Sequence, residues 1–247
     1  YYQFTVGLAY LTRSFDVVEN PMNMAISSGL NMYGNLKFTA RYHFAGNSEI
    51  AAGFGFTHFS NGKMDTPNLG LNGFNASLGY NLQIVSPKQP KHISNSFGII
   101  SKHNCDIVVS AGVKVDDQAT NSKYLISTAV VDYIFAPGPK YAFGLGSDIF
   151  YDQSLGPNVA EKGGMSYTQK DLFQLGMHIG LYARYNRIRI TGHIGGYVLA
   201  PLYKYARIYS RIGMRYSISD KVFLNIALKA HYAIADYIEW GIGYSIK

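Results

Sequence analysis

The chain has 247 residues and carries 35 aromatic Tyr and Phe side chains and one Trp, but only 15% charged residues. This abundance of aromatic side chains excludes a disordered chain, because disordered chains are poor in them. A single cysteine, Cys105, excludes a disulfide scaffold and any zinc site built from several cysteines.

The net charge is +7. A positive net charge fits a protein that binds either nucleic acids or anionic lipid surfaces. The basic residues are dispersed along the chain and form no patch, so we expect no nucleic-acid partner. An anionic lipid surface is the alternative. No run of 18 or more apolar residues occurs, and the sequence therefore predicts no transmembrane helix.

Apolar and polar residues alternate with a period of two along most of the chain, which predicts strands with one apolar face. Most of these segments are 10–15 residues long, a length that suits tilted strands crossing a bilayer. The chain opens at Tyr1 already inside such a pattern, so we expect missing upstream sequence and a barrel incomplete at its N-terminus. The predicted strands are 2–11, 25–45, 49–60, 72–85, 105–116, 122–135, 140–152, 169–183, 186–199, 206–217, 221–233 and 236–246.

Charged residues fall on one face of these strands and apolar residues on the other. In strand 206–217, Ile212 and Met214 alternate with Arg211 and Arg215. Alternation alone also fits a soluble sandwich, but strand length, strand number and the many Gly and Tyr residues favour a barrel with its apolar face toward lipid. We predict one all-β domain over 1–247, an antiparallel transmembrane β-barrel of about twelve strands in the bacterial outer membrane.

The inward faces carry charges of both signs. We expect arginines there to pair with carboxylates, with an anion-selective pore as the alternative. The histidines on these faces fit polar packing, and their spacing gives no support for a metal site. The arginines are Arg187, Arg189, Arg207, Arg211 and Arg215; the carboxylates are Asp106, Asp132, Asp148, Asp152 and Glu239; the histidines are His43, His178, His193 and His231.

The lengths of the connections predict the orientation. Tight turns are predicted near 46–49, 137–140, 185–187 and 219–221, and longer links at 11–24, 61–71 and 153–168. Short turns are periplasmic and long loops extracellular in outer-membrane barrels, which places 61–71 outside the cell. The long link 86–104 falls on the predicted periplasmic side and does not fit this pattern.

Strand 49–60 ends with an imidazole and a hydroxyl two residues apart. His58 and Ser60 continue the outward column of Phe54 and Phe56, and Asn72 opens the next strand on the same face. A base and a nucleophile in this arrangement are close enough to interact. From the spacing alone, polar residues that cap the membrane boundary are the simpler interpretation.

The stretch 58–72 resembles the signature of PagL-type lipid A 3-O-deacylases, and the C-terminal part resembles longer members often labelled acyloxyacyl hydrolases. The family signature is His–aromatic–Ser–Asn, then Pro–Asn–x–Gly, then an acidic residue two positions after the glycine. The resemblance implies an outer-membrane barrel with a Ser-His-acid triad on its outer surface, which removes an ester-linked acyl chain from lipid A. The matching residues are His58, Phe59, Ser60, Asn61, Pro67, Asn68 and Gly70, with Asn72 at the acidic position.

The resemblance also implies a role for each matching residue. Ser60 would be the nucleophile and His58 the general base. The side-chain amide of Asn68 and the backbone N–H groups of Gly62 and Lys63 would stabilise the oxyanion.

Asn72 departs from the family pattern. An Asn can orient a histidine, but it lacks the charge that stabilises an imidazolium, and the Asp-to-Asn change in a serine protease triad costs about 10⁴ in kcat. Either the acid comes from elsewhere, with Asp65 nearest in sequence, or the activity is weak or lost.

Two functions of different classes remain. The first is a serine esterase acting on lipid A, the lipid anchor of lipopolysaccharide, in the outer leaflet; the matching signature favours it. The second is a non-catalytic outer-membrane barrel, either a channel or a degenerate homologue, which Asn72 favours. We expect no cofactor for either, and the sequence leaves the oligomeric state open.

Overall fold

The computed structural model describes residues 1–44, 47–84, 101–115, 122–157, 160, 166–202, 207–232 and 234–247. The chain divides into two compact units, 1–94 and 95–247. Among the described residues, no helix is long and apolar enough to cross a membrane. The predicted link 86–104 lies largely outside the described residues.

The first unit is an antiparallel sheet of four strands in chain order. Its apolar face is exposed: Phe38 lies opposite Phe54, which in turn lies opposite Ala76. The other face is polar and includes the buried Glu49, whose carboxylate lies 3.5 Å from Arg41. The strands are β1 (Tyr2–Tyr10), β2 (Leu30–Phe44), β3 (Ser48–Ser60) and β4 (Leu71–Leu82).

The second unit is a closed antiparallel barrel of eight strands. Each strand pairs with the next in sequence, and the barrel closes where the last strand pairs with the first, with Ile242 opposite Val109. The strands are β5 (His103–Val115), β6 (Lys123–Phe135), β7 (Tyr141–Asp152), β8 (Phe173–Tyr185), β9 (Ile188–Leu199), β10 (Ile208–Ser217), β11 (Val222–His231) and β12 (Ile234–Ile246).

These twelve strands confirm the predicted all-β, antiparallel class and the predicted strand number. Eight of them form the closed barrel and four form the separate sheet. The assignment of all twelve to one domain over 1–247 stays a prediction.

The barrel has the inverted polarity expected of a membrane barrel. In β10, Arg211 and Arg215 are buried, whereas Ile212 and Met214 are exposed, which confirms the predicted facing of these four residues. An eight-stranded barrel leaves an interior just wide enough for side chains, and the buried rings of Phe150, Tyr209 and Tyr237 help to fill it.

Arginine–carboxylate pairs span the barrel interior, as the sequence predicts. Arg215 Nη1 lies 2.8 Å from Asp106 and its Nη2 lies 2.6 Å from Asp132. Arg211 Nη1 lies 2.8 Å from Asp148, and its Nε lies 3.1 Å from Glu239. Each arginine thus bridges two carboxylates on different strands.

Lysines complete this network toward the other end of the interior. Lys114 lies 2.8 Å from Asp152 and 2.9 Å from Asp236, and Lys229 lies 3.1 Å from Asp236. The prediction that Arg187 and Arg207 face the interior was wrong: Arg187 lies in the β8–β9 turn, and Arg207 is exposed just before β10.

A protonated His178 balances the charges of the interior network, as far as the described residues show it. Its two ring nitrogens lie 2.6 Å from Asp148 and 2.8 Å from Asp132, and a carboxylate can only accept, so both nitrogens carry hydrogen. Among the described residues, the ion pairs of the interior join six carboxylates to five Lys and Arg side chains and one imidazolium. The carboxylates are Asp106, Asp132, Asp148, Asp152, Asp236 and Glu239; the cations are Lys114, Arg189, Arg211, Arg215, Lys229 and His178.

Candidate active site

The candidate site lies at one end of the four-stranded sheet, where β3 ends and β4 begins. The strand register places His58 directly opposite Asn72, and opposite residues share a face. Ser60 follows two residues after His58 and therefore lies on that face too, opposite Met32 of β2. The three predicted side chains thus occupy one corner of the sheet.

His58 and Asn72 form a side-chain hydrogen bond of 2.6 Å between Nδ1 and Oδ1. A carbonyl oxygen can only accept, so Nδ1 carries the ring proton. In the neutral imidazole, Nε2 is then left with a free lone pair. This is the tautomer that a general base needs in order to take a proton from a hydroxyl.

Ser60 is buried, with only 5% of its surface exposed, although the sequence predicts a position at an open membrane boundary. The reason is the folding of two loops at the end of β3. Gly70 N–H donates to the carbonyl of Ala25 at 3.0 Å, and Leu69 N–H to that of Met24 at 3.2 Å. The pairing of these segments encloses the strand end, an arrangement that strand periodicity does not predict.

Asn61 organises the loop after Ser60 and is fully buried. Its Nδ2 donates to Ser27 Oγ at 2.8 Å and to the carbonyl of Asp65 at 3.1 Å. Its Oδ1 accepts the N–H of Lys63 at 2.9 Å. The spacing of polar residues does not predict this role of Asn61, and its position in the family signature is the only signal for one.

The three residues that would stabilise the oxyanion differ in which of their hydrogen-bond donors are still available. Asn68 Oδ1 accepts the backbone N–H of Asn61 at 3.1 Å, which leaves the Nδ2 hydrogens of Asn68 as its donors. The N–H of Lys63 is already used on Asn61 Oδ1. Gly62 is buried with a φ of 63°, a conformation that glycine adopts readily.

The carboxylate of Asp65, the alternative acid of the triad, binds the backbone and not the imidazole. Its Oδ1 accepts the N–H of Thr66 at 3.0 Å, and its carbonyl accepts from Asn61. Among the described residues, no hydrogen bond joins Asp65 to His58. The hydrogen-bond partner of the imidazole is Asn72.

Gly70 is a second residue whose role at the site is not predicted by strand periodicity. It has a φ of +77°, and a Cβ atom there would lie 2.8 Å from Cε1 of His58 and 3.2 Å from the carbonyl oxygen of Phe59. Glycine is therefore needed both for the backbone conformation and for the close approach to the imidazole.

The long loop before β2 carries its own polar anchor. The Asp16 carboxylate accepts the N–H groups of Glu19 and Val18, each at 2.8 Å, and these bonds hold the pKa of Asp16 below its usual value. This turn shapes the loop whose later residues, including Ser27, contact Asn61.

One side-chain group in the described barrel has the composition of a metal site. Ligand atoms of Asp132, His178 and His193 lie within 4.8 Å of one another. Both nitrogens of His178 face carboxylates, however, and its ring stacks on that of His193 with centroids 4.3 Å apart and planes 12° apart. Nearly parallel rings do not aim their lone pairs at one point, so the geometry favours ion pairing over metal binding.

Two family models match the chain, one for each unit. The model for lipid A 3-O-deacylase (PagL) matches residues 1–81, and the model for the acyloxyacyl hydrolase C-terminal domain matches residues 103–247. The chain belongs to the PagL lipid A deacylase family. PagL proteins are outer-membrane proteins, which fits the transmembrane barrel described above and places this PagL family member in that membrane. Family membership supports lipid A deacylation as the general activity.

No curated protein matches the chain. Similar solved structures include a de novo designed transmembrane β-barrel, with 13% identity, a TM-score of 0.36, and coverage of 58% of this chain and 94% of that chain. A triple mutant of Rhodopseudomonas blastica porin matches with 9% identity, a TM-score of 0.22, and coverage of 99% and 100%. At such TM-scores, neither similarity bears on the function.

Proposed function

We propose that this protein is an outer-membrane serine esterase that removes an ester-linked acyl chain from lipid A. Ser60 is the nucleophile and His58 the general base. The observation that carries the proposal is the 2.6 Å hydrogen bond from His58 to Asn72, on the same face as Ser60, in a chain of a lipid A deacylase family.

The reaction begins when the bare Nε2 of His58 takes the proton of the Ser60 hydroxyl as Oγ attacks the ester carbonyl. The C–O bond to the sugar then breaks, and the imidazolium returns the proton to the sugar oxygen. Water attacks the acyl-enzyme with His58 again as base, which releases the fatty acid and restores Ser60.

Two donors stabilise the negative charge on the carbonyl oxygen. We assign them to Nδ2 of Asn68, whose Oδ1 is held by the backbone of Asn61, and to the N–H of Gly62. The N–H of Lys63 does not share this role, because Asn61 Oδ1 already accepts it. Asn61 acts as a positioning residue for this loop.

Asn72 fixes the ring and tautomer of His58 but supplies no negative charge. The imidazolium formed during the attack is therefore less stable than in a triad with a carboxylate, and we expect a slow enzyme. The presence of an asparagine at position 72 in place of an acidic residue also favours the second candidate function, a degenerate homologue without activity. A channel has less support, because buried side chains fill the interior of the closed barrel.

Substrate approaches from the lipid side. The exposed rings of Phe54, Phe56 and Phe74 lie on the face that carries His58 and Asn72, with centroids of Phe56 and Phe74 5.3 Å apart. These rings offer an apolar surface for acyl chains, whose ester linkages lie near the headgroup boundary. A lumen-blocking ligand that stopped hydrolysis would contradict this route.

The proposal is tested with purified full-length protein, its Ser60→Ala variant and isolated lipid A, by mass spectrometry of the lipid products. The protein is expected to convert lipid A to a species lighter by one acyl chain, with release of one fatty acid. Ser60→Ala is expected to leave lipid A intact. An intact lipid A with both proteins would favour the degenerate homologue, and equal cleavage by both would show that Ser60 is not the nucleophile.

A further inference from the structure

The apolar face of the four-stranded sheet has a side chain at every position of its four described strands except one, which is Gly34 of β2. Glycine weakens a strand interior, and it often marks a bulge or a place where another backbone or a ligand approaches closely. The other glycines of these strands lie on the polar face: Gly7, Gly53, Gly55, Gly73 and Gly79.

Nothing within the described sheet requires a glycine at position 34. The strand register runs past Gly34 on both sides without a bulge. Its φ lies outside the left-handed region, so the backbone accepts any L side chain there. A Cβ atom at Gly34 would meet no heavy atom within 4 Å, in contrast to one at Gly70. Close approach of a ligand is the explanation that these observations leave.

The space over Gly34 lies beside the candidate base. Gly34 is directly opposite His58 of β3 on one side and Val6 of β1 on the other. Met32 and Leu36 precede and follow it on the same face of β2. We call this space, bounded by Val6, Met32, Leu36 and His58, the Gly34 gap. Three of its four boundaries are apolar.

The imidazole of His58 leaves the Gly34 gap open. Its Nδ1 is bonded to Asn72 of β4, and its Cε1 lies next to Gly70, just before β4. Both contacts hold the ring toward β4, whereas Gly34 lies on the opposite side, on β2. A substrate can therefore occupy the gap without displacing the base.

The Gly34 gap lies where the acyl chain of a bound ester has to pass. In a reactive geometry the carbonyl carbon is about 3–3.5 Å from the attacking Oγ of Ser60. Ser60 lies opposite Met32, so Gly34 is its diagonal neighbour, and such neighbours are about 7–8 Å apart. The first methylene groups after the carbonyl span this distance. The exposed side chains of Val6 and Leu36 then offer them apolar contacts.

We propose that Gly34 determines the acyl-chain specificity of the site, because the Gly34 gap receives the methylene groups that follow the ester carbonyl. This inference rests on the proposed function and extends it to the part of the substrate that is selected. A long acyl chain makes contacts in the gap that an acetyl group cannot make, so the site prefers long-chain esters. Burial of each methylene contributes roughly a factor of four, and burial of three roughly sixtyfold.

The first test compares Gly34→Leu and Gly34→Ala with Gly73→Leu in the full chain. Gly73 is the matched control, because a Cβ there also meets nothing within 4 Å but lies on the polar face. Values of kcat/KM are measured in detergent for p-nitrophenyl decanoate and p-nitrophenyl acetate, with Ser60→Ala as the background. The ratio of the decanoate value to the acetate value is expected to fall roughly sixtyfold in Gly34→Leu and roughly fourfold in Gly34→Ala. It is expected to stay unchanged in Gly73→Leu, and the remaining acetate hydrolysis shows that a variant is folded.

The second test does not depend on turnover. Ser60→Ala protein is irradiated with a methyl decanoate that carries a diazirine near its carbonyl, and the cross-linked peptides are sequenced. Cross-links are expected on Val6, Met32 or Leu36. Adding Gly34→Leu is expected to remove them, whereas adding the control substitution is expected to leave them.

The two tests separate the Gly34 gap from the proposed esterase. A lowered ratio in the Gly34 variants together with cross-links in the gap supports both. Cross-links in the gap without Ser60-dependent hydrolysis of either ester would support an acyl-chain site and contradict the esterase. An unchanged ratio in Gly34→Leu, loss of both activities already in Gly34→Ala, or cross-links on Phe56 and Phe74 instead would overturn the role of Gly34 and leave the esterase in place.

Discussion

The backbone of Gly70 lies against the imidazole of His58 so closely that a Cβ atom at position 70 would be 2.8 Å from Cε1. The same glycine donates its N–H to Ala25, which fixes its distance from the loop before β2. His58 is thus held from two sides, by Asn72 through a hydrogen bond and by Gly70 through contact.

Gly70→Ala is therefore expected to lower kcat for lipid A deacylation by roughly 10²-fold, the effect of a misplacement of about 1 Å at a reacting group. Gly73→Ala is the matched control, because a Cβ there meets nothing within 4 Å. Steady-state kinetics of both variants check this. Equal activities of the two variants would show that Gly70 does not position His58.

Asn72→Asp is expected to raise kcat, because it keeps the size of the side chain and the 2.6 Å hydrogen bond while adding the charge that stabilises the imidazolium. From the cost of the reverse change in a serine protease, about 10⁴, we expect a gain of one to several orders of magnitude. Asn72→Glu is expected to gain as well, and Asn72→Ala to lose activity. A charged variant slower than the parent would exclude position 72 from the triad.

Asp65→Asn is expected to change kcat by less than about threefold, because the Asp65 carboxylate binds Thr66 and a surface-loop substitution of this kind has a small effect. The same deacylation assay measures it. A loss of several orders of magnitude would instead identify Asp65 as the acid of the triad.

Strand number and facing could be predicted because they depend on local alternation, whereas strand neighbours could not. The pairing of Ile242 with Val109 closes the barrel, although most of the sequence of the second unit lies between these two residues. An alternation with a period of two does not indicate which strands are neighbours. The predicted strand 25–45 begins only at Leu30, because residues 24 and 25 pair with the loop at 69 and 70 instead. The predicted strand 169–183 begins at Phe173 for a similar local reason: Gln169–Leu172 forms a 3₁₀ turn.

The candidate site was predictable only in part. The face shared by His58 and Asn72 follows from strand periodicity once β3 and β4 are neighbours. The burial of Ser60 depends on how two loops fold together, and the contacts of Asn61 and Gly70 depend on the same loops. Loop contacts of this kind have no periodic signature in the sequence.

His178→Leu is expected to destabilise the closed barrel by roughly 3–5 kcal/mol, because it removes the cation between two buried carboxylates. Met177→Leu, on the exposed side of the same strand, is the control and is expected to change stability by less than about 1.5 kcal/mol. Urea unfolding, followed by the difference in gel mobility between heated and unheated samples, measures the stability of both variants. Equal stabilities would mean that the carboxylates are satisfied by the arginines alone.

Covalent labelling with a fluorophosphonate tests the central claim most directly, because such a probe reacts with an activated serine and the modified peptide can be sequenced. The protein is expected to carry the label on Ser60, and His58→Ala is expected to abolish labelling although Ser60 is still present. The label on another residue, or labelling of Ser60 that persists without His58, would contradict a Ser60–His58 esterase.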